Sequence, residues 1–199
     1  RDDMSFGSIV FTNKGKILQA KAQAGAQLTF TRLAMGDGQL TGQSETELSN
    51  LINKKKDIAI TKLRPMNNGA VAIGGILSNS DLAQGFYWRE IGLFANDPDV
   101  GEVLYCYGNA GTLAEYIPAG EGSQILEKRI DIIAITGNAS NVSAVIDSSL
   151  IFLSVEDLER HNDDLYSHPD IRESIGGLQL AIENIEVPVT SVNGKTGAV

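Results

Sequence analysis

The chain has two histidines, His161 and His168, seven residues apart, with Asp163, Asp164 and Asp170 close by in sequence. Imidazole and carboxylate groups ligate borderline transition metals and exchange protons near neutral pH. Seven residues is one heptad, so in a multi-chain helical assembly both rings could face a shared axis as axial ligands for a metal or an anion. The plainer reading is a polar layer, or exposed joint residues, where two parts of the chain meet. Pro169 favours the plainer reading because it interrupts the helical pattern directly after His168.

Other candidate chemistry is thin. No Ser–His–Asp or Cys–His nucleophile can be assembled when both histidines lie in this one region. Gly194-Lys195-Thr196 ends like a phosphate-binding loop, but Val189 stands where the first glycine is needed. Cys106, within Val103-Leu104-Tyr105-Cys106-Tyr107, reads as a buried inert thiol. Asp97 and Asp99 fall in a Pro-containing loop and read as solvated acids. The net charge of -9 argues against nucleic acid, and no apolar run approaches a membrane span. No catalytic residue, cofactor or membrane insertion is expected.

The elements that would carry these groups follow from periodicity. Thr12 to Ala26 reads as a helix capped by Thr12 or Asn13 and ended at Gly25. Gln27 to Met35 alternates as a strand, with Leu28, Phe30 and Arg32 on one face, and closes in Gly36-Asp37-Gly38. Ser44-Glu45-Thr46-Glu47 is a capping box. It predicts a second helix over 45–56, with Leu48 in the core and Lys54-Lys55-Lys56 at its solvated end. Strands are predicted over 58–63, 71–77, 86–95, 102–108 and 125–136. The strand 125–136 is expected to form a hairpin with Val142, Ala144 and Ile146.

Beyond that globular pattern, Leu158 and Leu165 lie one heptad apart. Ile171, Ile175, Leu178, Ile182 and Ile185 then continue at spacings of four, three, four and three. Such a helix is about 25 Å long at about 1.5 Å per residue. Isoleucine at both seam positions favours three or more strands over two. The other reading is an amphipathic helix docked on its own domain. The seven residues Leu158, Leu165, Ile171, Ile175, Leu178, Ile182 and Ile185 are the expected trimer interface.

The densest run is Tyr87-Trp88-Arg89-Glu90-Ile91-Gly92-Leu93-Phe94, where two charges interrupt an apolar strand. A buried charge is costly without a partner, so Arg89 and Glu90 each require one, within the domain or on another protein.

Phe86 to Phe94 resembles the signature of the N-terminal domain of phage tail-collar fibre proteins from contractile tails. Phe30 to Gly38 is similar to that family's strand and turn ahead of its second helix. The head signature comprises Gly36, Asp37, Gly38, Trp88, Arg89, Glu90 and Gly92. The resemblance spans about residues 5 to 155. His161-Asn162 and Ser167-His168-Pro169-Asp170-Ile171-Arg172 resemble a junction common in such fibres, and Thr190 to Val199 is similar to the opening of a fibre shaft module. It implies a homotrimer attached to a tail baseplate protein, with a host surface receptor bound by a C-terminal part beyond Val199. Bacteriocins and secretion particles built on contractile tails use similar fibres. No catalytic residue carries over.

The expected fold is α+β: two N-terminal helices with a mainly antiparallel β-sheet, then a helical, trimeric coiled-coil stalk. The expected parts are a globular attachment head over 4–153, a helical junction and stalk over 154–187, and the start of a shaft over 188–199. The expected role is structural and adhesive, in a virion tail made in the bacterial cytoplasm. A free-standing oligomeric carbohydrate-binding module is the alternative, and a hydrolase of cell-envelope polymers a third.

Overall fold

A computed structural model describes residues 6, 8–66, 69–120, 125–147, 149, 161–162, 164 and 167–185. The chain divides into two compact units, Arg1–Ile151 and Phe152–Val199.

The first unit is built mainly of strands. They are β1 (Ile9–Phe11), β2 (Leu28–Gly36), β3 (Lys54–Ile58), β4 (Ile60–Met66), β5 (Ala70–Ser78) and β6 (Phe86–Trp88). Then follow β7 (Glu90–Asp97), β8 (Gly101–Asn109), β9 (Glu115–Ile117), β10 (Glu127–Ile135) and β11 (Val142–Ala144). One helix, α1 (Asn13–Gln23), lies between β1 and β2. A six-stranded sheet runs β1-β8-β7-β2. The remaining edge of β2 is shared: β11 lies parallel to Leu28–Phe30, and β3 lies antiparallel to Leu33–Gly36. A second sheet runs β10-β5-β4, and β6 pairs with β9.

The start of α1 is set by Thr12, whose hydroxyl accepts from the Gly15 amide at 2.9 Å and donates to the Leu104 carbonyl. Gly15 allows the helix to lie directly on β8, because a Cβ there would sit 1.9 Å from the Tyr105 carbonyl oxygen. Leu18 and Ala22 enter a core with Phe30, Leu33, Trp88, Tyr105 and Ile132. A smaller cluster on the other face joins Ala34, Leu51, Phe94, Leu104 and Tyr107.

These observations correct the α+β expectation: strands make up 44% of the described residues, and the first unit shows one helix among its described residues. The predicted helix over 45–56 is a single 3-10 turn, Glu45–Glu47, in which the Ser44 side chain makes no capping bond. The chain then extends so that Leu51 reaches the second cluster, with Leu48 only partly buried beside it. Lys54–Ile58 pairs with β2 as a strand, so the lysine run ends no helix. Sheet pairing outweighs the local capping signal.

Two further corrections concern register. β2 carries a bulge between Phe30 and Arg32. The extra residue shifts the alternation, so Leu28 and Phe30 share the core with Leu33 and Met35, and not with Arg32. The hairpin expected between 125–136 and 142–146 does not form. β10 pairs along nine residues with β5, burying Ile130, Ile132 and Ala134, whereas β11 offers only three. After β10, the Gly69 carbonyl accepts from the amides of Thr136 and Gly137. The Asn141 carbonyl accepts from Leu28, which delivers β11 to β2.

In the second unit, α2 (Pro169–Glu183) follows His168. Ile171, Ile175, Leu178, Ile182 and Ile185 are all at least half exposed. The expected coiled-coil stalk is therefore absent among the described residues, in which the apolar stripe of α2 is uncovered. Leu158 and Leu165, like the shaft segment 188–199, lie outside the described residues.

Candidate functional site

The two charges in the β6–β7 run have opposite fates. Glu90 is wholly buried at the start of β7. Its Oε2 accepts from the amides of Gly38 at 2.9 Å and Asn53 at 3.0 Å. Its Oε1 accepts from the Ile52 amide at 2.7 Å and the Tyr107 hydroxyl at 2.9 Å. Two donors on each oxygen offset the cost of removing a carboxylate from water. They also occupy the carboxylate completely, so Glu90 joins strands and has no lone pair left for a substrate. Burial pushes the Tyr107 hydroxyl above its ordinary range; the Asn109 amide opposes this and Glu90 reinforces it.

The glycines of the turn are explained by the same group. A Cβ on Gly36 would lie 2.4 Å from Glu90 Oε2, and one on Gly38 would lie 2.6 Å from it. Asp37 closes the turn on β3: its amide donates to the Asn53 carbonyl at 3.1 Å, and its carboxylate accepts from the Asn53 side chain at 2.7 Å. Trp88 Nε1 donates to the Glu90 carbonyl at 2.9 Å. Gly92 leaves room for the second cluster, since a Cβ there would meet Leu51 Cδ1 at 2.6 Å. Of the signature residues, Gly36 and Gly38 thus approach the Glu90 carboxylate itself, while Asp37 and Trp88 bond to Asn53 and to the Glu90 backbone carbonyl beside it.

Arg89 lies between β6 and β7, half-buried. Its amide donates to the Gly36 carbonyl at 2.9 Å, and one terminal nitrogen donates to the Asp37 carbonyl at 3.3 Å. Its Nε is buried without a hydrogen-bond partner, and its guanidinium lies 5.3 Å from the Tyr87 ring centre. Tyr87 and Tyr116 pack against each other across β6–β9 with centroids 5.2 Å apart and planes tilted by 59°, each about half exposed.

The loop acids are not both solvated. Asp97 is buried and takes the Lys21 ammonium at 2.7 Å, while the exposed Asp99 takes it at 2.6 Å. These bonds raise the Lys21 pKa above its usual range. Burial alone would raise Asp97, but the Lys21 ammonium and the backbone amides of Asp99 and Val100 together outweigh it and hold the carboxyl below its ordinary value. Cys106 is buried, and burial pushes its thiol up to about 12. In the second unit, His161 and His168 do meet, with Nε2 atoms 3.0 Å apart. Glu90 needed a partner, but its sequence could not name one, because three of its four partners are backbone amides. Only Tyr107, one residue beyond the buried cysteine, was available as a side-chain signal.

A family model described as the N-terminal part of phage tail-collar fibre protein matches residues 4–156. The chain belongs to this family. The match bears out the resemblance carried by the two motifs that Glu90 brings together. The tail-fibre chain has a structural role as a component of the virion tail. No curated protein and no solved structure matches it.

Proposed function

We propose that this tail-fibre chain anchors a homotrimeric receptor-binding fibre to the tail baseplate, and acts as a structural attachment part and not as an enzyme. The family match carries this reading, because it spans 4–156 and so nearly all of the first compact unit. A head tied together through one carboxylate suits a part that must transmit force without rearranging. The exposed apolar stripe of α2 supports self-association, since burying it against other copies removes about 25 cal/mol per Å2 of unfavourable hydration. The baseplate partner is a protein, and the host surface receptor is engaged by the far part of the fibre. The chain is made in the bacterial cytoplasm, where Cys106 remains reduced.

The direct test is co-sedimentation of the chain with isolated tails that lack fibres. Retention on the tail is expected; a chain left in the supernatant would sink the proposal. The exposed Tyr87–Tyr116 pair is the feature a carbohydrate-binding reading would use, although its 59° tilt gives no flat platform for a sugar ring. Saturable glycan binding without tail retention would favour that alternative.

A further inference from the structure

The two imidazoles of the chain lie in one place for a reason that the head does not explain. His161 and His168 present their Nε2 atoms to each other at 3.0 Å, with ring planes at 82°. Both side chains are exposed. His168 is the only non-glycine residue with positive φ among the described residues, at φ 53 and ψ 58. This left-handed conformation is strained for a residue that carries a β-carbon, and it recurs where function demands a particular side-chain placement. Pro169 fixes the start of α2 immediately afterwards. Between the two histidines, the carbonyls of Asp164 and Ser167 accept from the Arg172 guanidinium at 3.2 Å and 3.1 Å.

We infer that His161 and His168 form a chelating site for a divalent first-row transition-metal ion, bound through both Nε2 atoms. Ligands about 2.1 Å from an ion are about 3.0 Å apart when they subtend a right angle, and about 3.4 Å apart at the tetrahedral angle. The observed separation matches two adjacent positions of an octahedral ion. Without metal, the same pair shares one proton between its Nε2 atoms. With metal bound, each ring carries its proton on Nδ1, and for His161 the Ser167 hydroxyl lies 3.2 Å from that atom, placed to accept it. No third His, Cys, Asp or Glu completes a cluster among the described residues, so the other positions are filled by water or by further copies of the chain. The chelate is complete within one chain and stands apart from the baseplate reading.

The test titrates the full untagged chain with Ni2+ by calorimetry. Saturable binding is expected, with affinity at least tenfold lower in His161→Ala and in His168→Ala and unchanged in Glu173→Gln. No saturable binding, or binding unaffected by either histidine substitution, overturns the site. A second measurement needs no substitution: these are the only imidazoles in the chain, so Co2+ must shift both sets of ring resonances paramagnetically. A shift of one ring alone, or of neither, also overturns it. The ratio of metal to chain then reads whether water or neighbouring copies complete the shell.

Discussion

The Glu90 carboxylate and the Gly38 amide meet at 2.9 Å across 52 residues of sequence, and this bond fastens the end of β2 to the start of β7. The same carboxylate holds the entry to β3 through Ile52 and Asn53, and β8 through Tyr107. One side chain thus joins the ends of four strands. Glu90→Gln replaces one acceptor oxygen with a donor and leaves buried amides facing it. The expected loss is about 2–4 kcal/mol, since each orphaned buried donor costs about 1–3 kcal/mol. Urea unfolding followed by the fluorescence of Trp88, the chain's only tryptophan, measures it; an unchanged midpoint would contradict the role given to the carboxylate.

Gly38→Ala tests the close approach from the other side. Its Cβ would lie 2.6 Å from both Glu90 Oε2 and Ile52 Cβ, and 2.9 Å from the Asn53 amide nitrogen. Backbone on one side and a fixed carboxylate on the other cannot both yield, so a destabilisation of about 1–3 kcal/mol is expected. Gly42→Ala meets no atom within 4 Å, but φ there is +111, so its cost arises from backbone strain alone. A Gly38→Ala midpoint equal to wild type would show that the turn is free to move.

Leu51 and Leu48 should separate clearly. Leu51 is buried in the second cluster while Leu48 packs at its margin. Leu51→Ala is expected to cost about 2–5 kcal/mol and Leu48→Ala about 1 kcal/mol or less. Equal losses in thermal or urea unfolding would mean that the segment after the 3-10 turn is placed differently.

Acid should weaken the first unit through Asp97. Its folded-state carboxyl lies below the ordinary value of 3.8, so the unfolded chain binds the proton more readily. The Lys21–Asp97 contribution is therefore full above the ordinary value and is lost as pH falls through the lower folded one. Unfolding free energy measured from about pH 5 down to about pH 2 should fall less steeply in Asp97→Asn than in wild type. Parallel curves would remove Asp97 from the account.

If copies associate through α2, Ile175→Asp together with Ile182→Asp should lower the solution mass to that of one chain and leave the Trp88 unfolding transition in place. Both residues are at least half exposed within the single chain, so loss of folding is not the expected result. Light scattering that gives the same mass for both proteins would exclude this face as the interface.

What could be read from the sequence follows the range of each interaction. The start of α1 was legible because Thr12 acts on Gly15, three residues away. The strand segments were legible from alternation, as β10 shows with Ile130, Ile132 and Ala134 turned inward. The two motifs of the signature were visible, but their meeting was not: Gly38 and Glu90 are linked by a carboxylate and an amide that every residue except proline possesses. The capping box at Ser44 misled because the amides of Ile52 and Asn53 are captured by Glu90 instead of by helical carbonyls. The hairpin failed for a similar reason, since β5 offers β10 a ladder of equal length from 49 to 65 residues upstream.

The shared edge of β2 carries a consequence for synthesis. On the edge away from β7, Leu28–Phe30 is paired by Val142–Ala144, more than a hundred residues later. While the chain emerges from the ribosome, that short hydrogen-bonding edge stays open, a template on which nascent chains can pair wrongly. A fragment ending ahead of Val142 would keep this edge permanently bare and should aggregate during expression, even though every residue of the Glu90 cluster is present in it.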